Sequence, residues 1–144
     1  MSEHKPEQQY AKPLPQQDPV SAPYWSSLRE HGVKVQRCEE CSRYMFPPAS
    51  HCPGCLSTRL AWTPLSGKGK VHATVTVEHA PMASFKGDTP YNVALVDLEE
   101  GVRVWTNVIG CAPAEVVCDM PVEACYEDAT AEFTLLKFKP AARK

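Results

Sequence analysis

The chain has 144 residues, 43% of them hydrophobic and 22% charged, with 14 prolines against 7 glycines. That length suits one ordinary domain, or a small stapled module joined to a compact one, and the proline content excludes a bundle of long helices. Fifteen basic and 17 acidic side chains leave a formal net charge of −2, so no overall field draws the molecule to nucleic-acid phosphates or an anionic membrane surface, and any anion site must be local.

Residues 1–32 divide into an arm and a helix. The first 20 are rich in glutamine and proline (Gln8, Gln9, Pro13, Pro15, Gln16, Gln17, Pro19) and bury too little to offset ordering entropy, which predicts a disordered arm. They also hold no apolar run of the about 7–15 residues that a secretory leader needs. Ser21 is placed to cap a short helix with Pro23 in its first turn, and Gly32 stands where a left-handed stop belongs. Tyr24, Trp25 and Leu28 give that helix more apolar area than a lone exposed element carries. Either they fold back on the rest of the chain, or they dock on a partner protein.

Residues 33–65 contain two Cys-x-x-Cys pairs, Cys38/Cys41 and Cys52/Cys55, separated by ten residues and flanked by predicted strands at 33–37 and 60–65. Each pair sets two sulfurs on one tight turn, and two facing turns make a tetrahedral four-thiolate site. Such a site leaves the metal no open position for water, so it is structural rather than hydrolytic. Zinc is the expected ion, although iron fits the same sulfurs. Of the seven cysteines this leaves three free, an odd count that argues against a pure disulfide framework and for a reducing, cytoplasmic setting. Arg37, Arg43, Arg59, Lys68 and Lys70 gather positive charge on and just after this module, a candidate landing place for a nucleotide's phosphates.

Residues 66–144 read as a small antiparallel barrel. Gly67-Lys68-Gly69-Lys70 is read as a flexible lead-in, since it lacks the spacing of a phosphate loop. Strands follow at 71–77, 91–98, 102–109, 122–127 and 132–138. In the first, Val71, Ala73, Val75 and Val77 alternate with His72, Thr74, Thr76 and Glu78, which assigns the valines to one buried face. Glu99-Glu100-Gly101 and Asp128-Ala129-Thr130 are tight turns, and the proline at 113 limits residues 111–120 to a turn or one helical turn. The eleven-residue link 80–90 carries Met82 and Phe85, which either plug one end of the barrel or line an interface. Nowhere does an apolar run reach the ~18 residues of a membrane span. Cys111, Cys118 and Cys125 recur at seven-residue spacing, but prolines 113 and 121 keep them off a single helix, and no catalytic set is evident.

Taken together, Ala22-Pro23-Tyr24-Trp25, Gln36-Arg37-Cys38-x-x-Cys41, Phe46-Pro47-Pro48, Cys52-Pro53-x-Cys55, Gly67-Lys68-Gly69, Pro90-Tyr91-x-Val93, Leu98-Glu99-Glu100-Gly101 and Met120-Pro121-Val122 resemble one family over Pro13–Pro140. It is the family of zinc-ribbon plus OB-fold proteins, long catalogued as of unknown function, that accompany thiolases, acyltransferases and steroid side-chain aldolases. Ser42 and Leu56 stand where that family commonly has glycine, and Cys118-Asp119 replaces its usual Ile-Gly. The resemblance implies a mainly β chain: arm and short helix, four-cysteine zinc ribbon, then a five-stranded OB-fold barrel. It further implies a non-catalytic subunit in a hetero-oligomer with a thiolase-like catalytic protein, scaffolding it and helping to bind an acyl-CoA thioester. A different class of function, a single-stranded nucleic-acid binder stacking bases on Trp105 or Phe133, also suits a ribbon joined to an OB barrel, but the acidic balance disfavours it. A third, an enzyme using Cys111, Cys118 or Cys125 with His72 or His79 as base, lacks any recognisable motif.

Overall fold

The computed structural model describes residues 12–141, and the expected arm at residues 1–11 lies outside them. Helix α1 (Ala22–Arg29) is followed by a three-stranded sheet of order β2-β1-β3, with β1 Lys34–Cys38, β2 Tyr44–Met45 and β3 Leu60–Pro64. A five-stranded antiparallel sheet follows, of order β6-β5-β4-β7-β8: β4 Lys68–Val77, β5 Tyr91–Leu98, β6 Arg103–Thr106, β7 Pro121–Asp128 and β8 Thr134–Pro140. The second sheet curls until its two edges meet. Val108, just past β6, bridges Phe138 on β8 in parallel, and Ile109 N–H donates to the Phe138 carbonyl at 2.7 Å. Closure in this order is the five-stranded OB arrangement.

A capped turn precedes helix α1. Asp18 and Ser21 form a reciprocal capping box: Asp18 Oδ1 accepts from Ser21 N–H at 2.7 Å, and Ser21 Oγ accepts from Asp18 N–H at 3.2 Å. Asp18 therefore caps this preceding turn, and Ser21 stands at the N-cap of α1 as expected but makes no side-chain capping bond to the helix. The stop is one residue earlier than Gly32. His31 takes the left-handed conformation (φ 58°), Gly32 N–H reaches Ser27 O and His31 N–H reaches Leu28 O, a Schellman ending. A histidine holds this position because its ring is anchored elsewhere, stacked on Tyr126 at 5.3 Å with Nε2 3.1 Å from Asp128 Oδ1.

The barrel core is Val71, Ala94, Val96, Leu98, Val104, Val122 and Phe138, joined by Val35 from β1, so the base of the ribbon shares the barrel's interior. Strand β5 alternates perfectly, burying Asn92, Ala94, Val96 and Leu98. Strand β4 departs from the expected single valine face. Its register skips from Val71↔Val96 to Ala73↔Leu95, so His72 is an extra, bulged residue and every side chain beyond it changes face. Val71 is buried, whereas Val75 is 60% exposed. All of the glycine-lysine stretch but Gly67 (φ 77°) is part of β4 rather than a flexible lead-in. A Cβ at Gly69 would lie 2.5 Å from the Asp97 carbonyl, so the close pairing of β4 with β5 requires glycine there.

Candidate metal centre and the surfaces around it

The four cysteines expected to bind metal come together: their sulfurs all lie within 4.8 Å of one another, with Cys38–Cys55 and Cys41–Cys52 each at 3.5 Å. Zinc–sulfur bonds of about 2.3 Å in a tetrahedron put sulfurs about 3.8 Å apart, so the donor set fits a zinc ion closed to water. Each knuckle is made the same way. Ser42 N–H returns to Cys38 O and Leu56 N–H to Cys52 O, both at 2.9 Å, which forces Ser42 and Leu56 to φ 62° and 64°, the left-handed region where glycine is easier. Backbone N–H groups turn inward to the sulfurs, Cys41 N–H to Cys38 Sγ and Gly54 N–H to Cys52 Sγ. Such donors favour thiolate. The N–H groups of Cys55 and then Gly54 bring the Cys52 thiol down to about 6, and that of Cys41 leads in lowering Cys38. The segment joining the knuckles is pinned by Gln36, whose side chain donates to Ala49 O and accepts from Ala49 N–H.

The five basic residues proposed for a nucleotide do not converge. Arg37 donates to Ser42 O and lies over the Tyr44 ring at 4.9 Å; Arg59 pairs with Glu40 at 3.1 Å; Arg43 lies against Gly54 of the other knuckle. The ribbon's arginines thus brace the metal loops. Lys68 and Lys70 are exposed, have no ion-pair partner among the described residues, and line a groove of ≈ 630 Å³ between β4, β5 and β7. Asp97, Glu99, Asp119 and Glu123 share its rim, so an anion is favoured only at the lysine edge.

The docking residues divide as well. Tyr24 and Leu28 are 7% and 0% exposed, in a cluster with Val33, and Trp25 packs edge-on against Phe133 at 5.6 Å. The helix's apolar face packs inside the chain, the first of the two alternatives, so Tyr24 and Leu28 are not offered to a partner here. Phe85 stacks on Tyr91, while Met82 stays 47% exposed. What the sequence reading missed is a surface on the barrel. Because of the bulge, the register aligns Val75 with Val93, and Ala73 with Leu95 and Trp105, on the outer face of β4-β5-β6, with Trp105 72% exposed. Alternation within β6, Val104 and Thr106 inward, already implied that Trp105 points outward. The row is bounded by Asp97, which accepts from Arg103 Nε at 2.6 Å and lies 3.2 Å from His72. Phe133, the other proposed base-stacking residue, is buried.

The three remaining cysteines are separate. Cys111 and Cys125 are half-buried and Cys118 exposed, and none has a histidine as hydrogen-bond partner among the described residues. Desolvation, with Glu115 adding to it, pushes the Cys111 thiol up, and desolvation does the same at Cys125, away from the thiolate a nucleophile needs. Among the described residues no helix is long and apolar enough to cross a membrane.

Comparison with known proteins places these features in context. Residues 25–61 match the family described as "ChsH2, rubredoxin-like zinc ribbon domain", and residues 62–127 match "ChsH2, C-terminal OB-fold domain". A probable enoyl-CoA hydratase alpha subunit of Thermomonospora curvata is 34% identical over 97% of this chain, which spans 43% of that longer protein. A "DUF35 domain-containing scaffold protein" of Methanocaldococcus jannaschii is 36% identical over 71% of this chain and 73% of its own length. The benzoylsuccinyl-CoA thiolase subunit BbsA of Thauera aromatica is 34% identical over 63% of this chain and 60% of its own. Among solved structures, a chain of "Ltp2-ChsH2(DUF35) aldolase" superposes with a TM-score of 0.82 at 33% identity, covering 90% of this chain and all of that one.

Proposed function

The chain belongs to the ChsH2/DUF35 family of zinc-ribbon and OB-fold proteins, and from that premise we propose that it is an accessory, non-catalytic subunit of a thiolase-type enzyme complex acting on CoA thioesters. The observation that carries the reading is the outer face of the barrel. Five apolar residues, with an indole 72% exposed at one end, lie side by side on paired strands and are left uncovered by the described residues. Isolated domains rarely leave such a row to water, and a buried tryptophan is a common anchor of protein interfaces. Two relatives named as subunits of CoA-thioester enzymes and one named as a scaffold support the same role. In this assignment the partner supplies the nucleophile and base, and the four-thiolate metal holds the ribbon in shape.

A finer part of the proposal concerns the ligand. Lys68 and Lys70, which have no ion-pair partner among the described residues and line the groove, are offered to the phosphates of the CoA thioester at its edge. Co-expression with a thiolase-like protein tests the scaffold role: the expected result is co-purification in fixed ratio and a CoA-thioester activity that neither chain shows alone. A chain that stays monomeric and leaves the partner's activity unchanged would refute it. Changing Lys68 and Lys70 to Gln together should raise the KM for the CoA thioester several-fold with assembly intact, and an unchanged KM would remove the ligand assignment alone.

A further inference from the structure

A cavity of ≈ 570 Å³ at one mouth of the barrel, between the 80–90 link and the turn after Ile109, takes no part in the scaffold role. The stacked pair Phe85 and Tyr91, ring centroids 5.7 Å apart, forms one wall, with Val108 and Leu135 adding apolar lining. Into it comes Lys137 of β8, whose side chain is only 17% exposed. Its ammonium donates to Asn107 Oδ1 and lies 3.6 Å from Glu127, while Asn107 Nδ2 donates to the Asn92 carbonyl. This amine is therefore held in place, unlike a surface lysine on a free four-carbon stem.

The charges of the cavity narrow the choice of ligand. Among the described residues Lys12 pairs with Asp88 at 2.6 Å and Lys137 faces Glu127, so the two cations each meet a carboxylate and neither is set to hold a separate ion. What remains distinctive is one amine removed from water beside aromatic walls. Desolvation is the largest influence on it; Glu127 opposes, the Lys12 charge adds, and the balance holds the ammonium below the ordinary lysine range. A desolvated amine next to a second cation is the setting in which lysines become nucleophilic toward carbonyls.

We propose that this cavity receives a small uncharged aldehyde or ketone with an aromatic or aliphatic body, and that Lys137 holds it as a reversible imine. The ammonium first gives one proton to Glu127 or water. The freed Nζ lone pair attacks the carbonyl carbon, the two remaining Nζ protons pass to the carbonyl oxygen by way of Glu127 or water, the oxygen departs as water, and C=N replaces C=O. Hydrolysis reverses the step, and nothing is oxidised or reduced.

Benzaldehyde with cyanoborohydride, applied to the full zinc-loaded chain at neutral pH, traps such an imine as a stable benzylamine that peptide mass mapping can locate. Lys137 should be labelled several-fold faster than the exposed Lys68 and Lys70, and acetophenone should slow that labelling while benzoate does not. Cys111→Ala should leave the rate unchanged, since reduction does not trap a thiol adduct. Lys137→Arg keeps the positive charge beside Glu127 and should lose the fast-labelled fraction with its circular dichroism intact. Labelling of Lys137 no faster than that of the exposed lysines would overturn the proposal, and the mapped ratio in the unmodified chain decides this even if the variant misfolds. Protection by benzoate equal to that by acetophenone would overturn the carbonyl assignment.

Discussion

Helix α1 and the outer face of the barrel each present an indole among apolar neighbours, but Trp25 packs edge-on against Phe133 while Trp105 stands 72% exposed. The helix reaches its cover through residues far along the chain: Phe46, 5.2 Å from the Tyr24 ring, and Phe133 and Tyr126 at the other end of the sequence. The barrel face has no such cover, because its own strands fill the space beneath it and nothing in residues 12–141 lies above. Apolar content alone therefore does not identify a docking surface. What distinguishes the two is whether the rest of the chain can supply the covering side chains.

Removing the metal should separate the two surfaces most strongly. Structural zinc contributes roughly 10–16 kcal/mol in zinc-finger peptides at neutral pH, and the ribbon tip has almost nothing else, its buried cluster being Cys38, Met45 and Cys52 against Leu60. Chelation is expected to expose residues 38–60 to hydrogen exchange and to loosen helix α1, which leans on Phe46, while β5, β6 and Trp105 keep their protection. Simultaneous loss across the barrel would show that the two parts share one cooperative unit. Next in size, Leu28→Ala deletes a fully buried side chain from the covered face and should cost about 2–5 kcal/mol in denaturant unfolding. A loss near zero would mean that the helix is only loosely seated.

Smaller effects refine the picture. Leu56 is 74% exposed and left-handed, so Leu56→Gly should relieve strain and stabilise the zinc-loaded chain by about 1 kcal/mol. A destabilised variant would indicate that Leu56 has packing not visible in this fold. Smallest is the acid dependence of the covered face. The Ser21 backbone N–H holds Asp18 below its ordinary value of 3.8, and Thr134, then His31, do the same for Asp128. A carboxylate lowered on folding stabilises above its unfolded value and loses that contribution as pH falls through the folded one. Helix α1 should therefore hold its docking from neutral pH down to about 4 as far as these groups are concerned, and loosen below that. Asp18→Asn with Asp128→Asn should flatten this acid limb in a melting series, and an unchanged limb would assign it to other carboxylates.

Much of this fold was legible in the sequence where one constraint acts over a few residues. The two cysteine pairs declare a four-thiolate site because only a tight turn can aim both sulfurs of each pair at one point, and Tyr91–Leu98 shows its alternation without interruption. Asp119, where the family usually has glycine, takes the left-handed conformation (φ 66°) that an aspartate tolerates better than most residues. Two features were hidden for physical reasons. The bulge at His72 leaves the valine pattern of β4 intact in sequence while reversing its faces, because the extra residue shows only against the partner strand. Asp18 and Ser21 are both competent caps, and only the reciprocal bonds between them show that a capped turn precedes the helix. The five basic residues shared a neighbourhood in sequence, but Arg37, Arg43 and Arg59 had nearer tasks around the metal loops.

The assignment of the barrel face is tested most directly by analytical ultracentrifugation of the thiolase-like partner with either the natural chain or a Trp105→Arg variant. Trp105 contributes little to the chain's own packing, so the variant should match the natural protein in circular dichroism, zinc content and unfolding midpoint. The account predicts one sedimenting complex with the natural chain and two separate species with the variant. Full assembly of the variant would contradict it.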